Sequence, residues 1–363
     1  MISVLITGSG GLCGSSLVRF FSNRKNIKIT GIDNNSRKKF FGKDADVSKN
    51  INSLLKIKNY THYNEDIRNK EFIENLLKIE KFDAIIHTAS NPSHDFPVKK
   101  EGNILLDYEI NSTATLWMLE CFRKYCSHGT FVLFSTNKVT GDNVNKLKLI
   151  EKETRYDYAD EEYFNGINEK NLSIDNCVHS LFGCSKLAAD QYTIEYGRYF
   201  NLKTYVLRGG CLTGSSGMAG CEAHGFLNFL CKSHLQNREY NVFGNKAKMV
   251  RDNIHSYDVA SLISEIIENP SSGGIILNLG GGRERSVSHL EAFNKLENLT
   301  GKKFQYKYIN EPRIGDHIVW ITDTAKAKMM FPNWKIQYSL DDIFEDIIKE
   351  FKKKSAPHIL NGN

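Results

Sequence analysis

The stretch VLITGSGGLCGSSL, residues 4–17, decides the fold. It opens on an apolar, β-rich run and closes on an amphipathic helical pattern. Between the two, Gly8, Gly11 and Gly14 stand three residues apart. The first glycine lets the chain turn tightly after a strand. The second lets the backbone approach a pyrophosphate, and the third lets the helix pack closely on the strand. The amides of Leu12 and Cys13 then face the phosphates from a helix N-terminus, where partial positive charge gathers. Cys13 needs no redox role, because any small side chain suffices there. A dinucleotide-binding turn is the reading of this stretch; a purely structural glycine turn is the alternative.

The same rhythm continues outward. Ile27–Ile32, Ala84–Thr88, Thr130–Ser135 and Lys203–Leu207 read as buried strands. Lys70–Ile79, Leu105–Tyr125 and Phe182–Tyr199 read as helices between them. Strands alternating with helices predict an α/β, Rossmann-type doubly wound parallel sheet. After Arg208 the pattern changes, and residues 209–250 are rich in Gly, Cys and Asn. A helix at His255–Glu268, a strand at Ile275–Leu279, a helix near Ser286–Leu299 and a last helix at Leu340–Lys353 follow. The expected division is residues 1–208 for the dinucleotide and 209–363 for a smaller C-terminal substrate-binding domain, with segments near 250–280 returning to the first. Residues 141–180 read as a long polar, irregular excursion, a length usually tied to function or to disorder. The tail from Lys352 is expected to fray.

The chain has 363 residues, 40% hydrophobic and 25% charged, enough apolar material for two such units. Its net charge of +6 is spread along the chain rather than gathered in a stripe, which argues against nucleic acid as a partner. No apolar run reaches the roughly 18–20 residues of a membrane span. The opening MISVLITG runs straight into a strand pattern, unlike a secretory leader. Eight cysteines are scattered with no CxxC spacing, so reduced thiols of a cytoplasmic protein are expected, with no metal site.

The acid that a dinucleotide-binding unit places after its second strand is Asp33, in GIDNNSRKKFF. A carboxylate there accepts hydrogen bonds from ribose hydroxyls and favours NAD. Asn34, Ser36, Arg37, Lys38 and Lys39 follow at once. Basic side chains beside that ribose suit the 2′-phosphate of NADP through charge-assisted bonds.

Five longer strings are more specific than the glycine turn. They are FSTNKVTGD (134–142), KETRYDY (152–158), NGINE (165–169), HSLFGCSKLAADQY (179–192) and MVRDNIHSYDV (249–259). On these the chain resembles, over nearly its whole length, the extended short-chain dehydrogenase/reductases that modify nucleotide sugars, the nearest group being the CDP-paratose (CDP-tyvelose) 2-epimerases. The resemblance implies an adenine-side pair at Asp66 and Ile67, and cofactor contacts at Thr88, Ala89, Ser90 and Asn111. It implies substrate contacts at Asn137, Arg251 and Arg313, a CDP-linked sugar as substrate, and a homodimer built on the two long helices. It also implies a catalytic group of Ser or Thr, Tyr and Lys. Those positions fall on Thr136, Phe182 and Lys186.

The missing hydroxyl matters because hydride transfer at a sugar carbon moves a proton on the attached oxygen too. Tyrosine titrates near 10 in isolation, and a neighbouring ammonium lowers it into use as a base. Phe182 carries no proton. A replaced tyrosine, a binding-only homologue and an altered reaction are all open, and the intact turn, Thr136 and Lys186 favour the last. Oxidising an unactivated alcohol needs a base, whereas a ketone held by Thr136 needs only hydride and a proton. The expected activity is therefore an NAD(P)H-dependent reductase of a CDP-linked keto-sugar, with NADP preferred over NAD. The alternatives are an NAD-dependent CDP-sugar 2-epimerase and a non-catalytic NAD(P)-binding regulator. Tyr156, Tyr158, Tyr163 and His179 are candidate substitute acids or bases, and Gly209, Gly210 and Cys211 are expected to widen the sugar pocket.

Overall fold

The computed structural model describes residues 1–93, 103–215, 220–222, 225–313 and 315–355. Strands β1 (Ile2–Thr7), β2 (Ile27–Ile32), β3 (Tyr60–Tyr63), β4 (Ala84–His87), β5 (Thr130–Thr136), β6 (Lys203–Gly209) and β7 (Ile275–Leu279) form one sheet in the order β7-β6-β5-β4-β1-β2-β3. Every pairing in it is parallel. The chain starts at β1, runs outward to β3, and resumes at β4 on the other side of β1. A crevice opens where the direction reverses, at the carboxyl ends of the strands.

The residues of β1 explain the layering. Val4 and Ile6 pack into one apolar cluster and Leu5 into the opposite one. A strand buried on both faces needs helices on both. Helices α1 (Leu12–Ser22), α2 (Lys70–Glu80), α3 (Ala114–Tyr125), α4 (Ser180–Tyr199) and α5 (Ser256–Glu268) supply them. Leu17 and Phe21 of α1 and Leu262, Ile263 and Ile266 of α5 cover one face; Leu77 of α2, Phe122 of α3 and Ile194 of α4 help cover the other.

Several expectations need correcting. The helix expected at 105–125 is Ile104–Tyr108, a π-helical turn at Glu109–Thr113, and α3. The helix expected from Ser286 starts at His289; Ser286–Ser288 is instead a strand antiparallel to Val250–Asp252. Residues 141–180 are not wholly irregular, because Leu149–Glu151 and Tyr156–Tyr158 pair as a ribbon. β3, with the sequence YTHY, escaped notice because it has no apolar run. The expected fraying from Lys352 does not hold through Ser355, which is still helical, and from 356 onward it lies outside the described residues.

Beyond β6 a further core gathers Leu227, Leu230, Val242, Phe293, Leu296, Ile343 and Phe344. Strand Cys211–Thr213, just past β6, pairs in parallel with Asn253–His255 in a second, smaller sheet.

Candidate active site

Gly8 adopts φ +68°, and a Cβ on it would lie 2.8 Å from the Ala89 amide nitrogen at the end of β4. A Cβ on Gly14 would lie 2.2 Å from the Gly8 carbonyl oxygen. The turn, β4 and α1 thus meet with no room for side chains. The first-turn amides of α1 have no intrahelical acceptors and face the crevice. This cradle fits a dinucleotide pyrophosphate.

Asp33 follows β2, and its carboxylate accepts from the amides of Gly10 and Asn35, each at 2.8 Å. Asp33, Asn34, Ser36, Arg37, Asp66 and Ile67 line one end of a cavity of about 470 Å³. The basic cluster does not gather there as a whole. Lys38 pairs with Asp46 at 2.9 Å, and Lys39 is exposed outside the lining. Thr88, Ala89 and Ser90 line the cavity with Gly8, Gly11, Leu12 and Cys13. Beneath them His87 is held between Thr7 at 2.7 Å and Thr115 at 3.0 Å. Burial, with the Lys186 charge, pushes it down to about 3, so it is a neutral structural post.

Asn111 does not belong to this lining. Its side chain is buried, accepting from the Asn91 amide at 2.8 Å and donating to Asp107 at 3.1 Å and Ser185 at 3.0 Å. It ties the π-helical turn to α4 instead of facing the cavity.

At the middle of the cavity stand Thr136, Asn137, Phe182 and Lys186. Thr136 ends β5, and its hydroxyl accepts from the Lys138 amide at 3.2 Å. Phe182 lies one helical turn before Lys186 on α4, and its ring is buried. Lys186 donates to the Phe134 carbonyl at 2.6 Å. Burial pushes its ammonium down to about 8, against the carboxylates of Asp190 and Asp107. α4 is fixed by the fully buried Asp190, which takes Arg208 at 2.8 and 3.0 Å and the Ser135 hydroxyl at 2.7 Å.

The far end holds Arg251 and Arg313. Arg251 donates to Asp316 at 2.9 Å. The Arg313 guanidinium lies 4.1 Å from the centre of the Phe243 ring. Gly209, Gly210 and Cys211 line the wall between. Of the proposed substitutes, Tyr156, Tyr158, Tyr163 and His179 all lie outside the lining. Tyr158 is spent on the Val319 carbonyl at 3.1 Å, and His179 faces the Ile174 carbonyl at 2.7 Å. Lys138 and Asp316, which do line it, were not singled out in the sequence. The signal for Lys138 was its place two residues after Thr136.

A parallel sheet with a glycine cradle at its switch point and a Thr–Lys pair in the same crevice has the form of a dinucleotide-binding site. The chain belongs to the NAD dependent epimerase/dehydratase family, whose model matches residues 4–280. It is 33% identical over 348 residues to the CDP-paratose 2-epimerase of Salmonella typhi, covering 94% of this chain and 96% of that one. Its fold matches a tyrosine-to-phenylalanine variant of the UDP-glucuronic acid 4-epimerase of Bacillus cereus, solved with a fluorinated UDP-sugar and NAD, at TM-score 0.78 and 21% identity over 97% of this chain and 100% of that one. It also matches the dTDP-glucose 4,6-dehydratase of Bacillus anthracis in complex with NAD, at TM-score 0.75 and 20% identity over 98% of each chain.

Proposed function

We propose that the protein is an NAD-dependent epimerase acting at C2 of a CDP-linked sugar of the CDP-paratose type, a step in nucleotide-sugar biosynthesis. One observation carries the reading: a single cavity runs from the Gly8 cradle past Thr136 and Lys186 to Arg251 and Arg313. The 33% identity to the Salmonella typhi CDP-paratose 2-epimerase supports this choice over the reductase.

NAD rather than NADP follows from Asp33, whose carboxylate suits ribose hydroxyls and repels a 2′-phosphate, and from Lys38, which is already paired. The bound nicotinamide supplies a hydride acceptor and donor. Thr136 holds the reacting oxygen. Lys186, donating to the Phe134 carbonyl, is the residue that would hold the nicotinamide ribose. Arg251 and Arg313 grip the diphosphate as paired guanidiniums. Inverting one carbon requires the keto-sugar to present its other face, and the small side of Gly209, Gly210 and Cys211 leaves space for that turn. We place the enzyme in the cytoplasm as a homodimer. Leu105 (76% exposed) and Tyr199 (81%) lie on the helical surface assigned to the partner contact.

The reductase of a CDP-linked keto-sugar is the second reading, and Phe182 favours it, since reduction leans less on a base. A coupled experiment separates them. An epimerase with bound NAD exchanges CDP-paratose for its 2-epimer while absorbance at 340 nm stays flat. Stoichiometric loss of NADH or NADPH on adding a CDP-linked keto-sugar selects the reductase.

A further inference from the structure

The reacting oxygen must lose and regain a proton, and Phe182 cannot carry it. Lys138 stands two residues after Thr136, in the short 3₁₀ turn Asn137–Thr140 that closes β5. The residue is buried, with 8% of its surface exposed, and lines the cavity. Its Nζ donates to the Gly315 carbonyl at 2.8 Å and to Asp316 Oδ1 at 3.3 Å. The same carboxylate oxygen takes Arg251 at 2.9 Å. The ammonium is thereby held beside Asp316 and Arg251, while its backbone amide donates to the Thr136 hydroxyl, so one residue joins the diphosphate anchor to the reactive threonine. The turn also abuts the start of α4: a Cβ on Gly183, next to Phe182, would lie 3.2 Å from the Lys138 carbonyl oxygen.

Its charged and titratable surroundings are Asp316, Arg251, Cys211, His317 and, against its carbonyl, His179. Burial is the largest influence and Arg251 adds to it, while Asp316 opposes; the net result brings the ammonium down to about 8. Two other lining groups are shifted the other way or further. Burial pushes the Cys211 thiol up to about 12 and His289 down to about 4. Lys186 is turned inward onto Phe134.

We propose that Lys138 is the catalytic proton carrier that stands in for the absent tyrosine hydroxyl. Its neutral amine takes the proton from the sugar hydroxyl as hydride leaves the same carbon for the nicotinamide dinucleotide. Its ammonium returns that proton to the keto oxygen as hydride comes back, so charge and electrons balance over the cycle. This assignment rests on the oxidoreductase reading above.

The test uses the NAD-loaded enzyme as wild type, K138M and K138M/F182Y with CDP-sugars between pH 6 and 10. Loss of a proton carrier lowers turnover about 100-fold or more. K138M is expected to fall by that factor while CDP affinity stays within about threefold, and F182Y in the same chain is expected to restore turnover. Measured beside F182Y alone, a merely structural or binding lysine would leave K138M/F182Y as far below F182Y as K138M lies below wild type. Wild-type epimerisation should rise with pH through an inflection near 8, absent from the double variant. K138M turning over within about threefold of wild type with the same inflection overturns the assignment. So does a loss that F182Y fails to rescue. Competitive acetylation read by mass spectrometry reports the amine without turnover. It is expected to titrate near 8 and to be protected by CDP; an ordinary lysine titration overturns the assignment. A wild type silent toward every CDP-sugar would count against the substrate reading, and the labelling then decides on Lys138 by itself.

Discussion

On the proposed function, Phe182 and Asp33 are the residues whose replacement tests the chemistry most sharply. Phe182→Tyr adds a hydroxyl beside Lys186 on a ring that already lines the cavity. The phenol gains an ammonium neighbour that lowers its titration. Turnover is expected to rise and its alkaline dependence to shift to lower pH, with folding stability changed by less than about 1 kcal/mol in urea titrations. Asp33→Ala removes an acceptor from the ribose site. Hydrogen bonds to a charged group are worth about 1.5–3 kcal/mol, so NAD affinity is expected to drop about 10–100-fold while NADP affinity changes little, measured by calorimetry. Thr136, Phe182 and Lys186 were legible because each sits in a long, specific string. Lys138 was not, since a lysine just past a strand reads as a solvated side chain. Only the packing of Gly315 and Asp316 around it makes it buried and reactive.

The elements that carry these residues are held by contacts far apart in sequence. α4 hangs on the Asp190–Arg208 pair, which joins it to β6. Asp190→Ala leaves Arg208 buried without its partner, a change that costs about 3–5 kcal/mol. The expected result is a lowered urea midpoint together with lost turnover. Gly14→Ala drives a methyl into the Gly8 carbonyl, and overpacking of this kind costs about 1–3 kcal/mol. It should also release NAD during purification, detectable by absorbance of the protein as isolated. The strands and long helices could be read because buried parallel strands are continuous apolar runs. The π-helical turn could not. It is held by Asn111 bonding Asn91 and Ser185 across the fold, and those tertiary bonds turn the Asn111 side chain away from the cavity lining.

In the whole molecule, the region after β6 closes over the crevice through charged links. Asp44, beside the adenosine end, takes the mostly buried Lys232 at 2.7 Å and Arg238 at 3.0 Å from the far side. His255 meets Asp346 at 2.9 Å and stacks on Tyr338 at 3.8 Å. Nothing in the sequence pairs these positions, because each link spans more than 80 residues and joins segments with no shared pattern. The sheet was legible and its roof was not. The roof nonetheless decides the chemistry, since it brings Arg251, Arg313 and Asp316 to the same cavity as Thr136. On the proposed function, hydride leaves C2 of a CDP-sugar and returns to the same carbon inside that cavity. The most direct measurement uses a CDP-linked sugar carrying deuterium at C2 with the NAD-loaded enzyme, followed by NMR. Epimers that equilibrate with the deuterium retained at C2, and no net change in cofactor, are the predicted result. Consumption of reduced cofactor by a keto-sugar, with no interconversion of epimers, would contradict it.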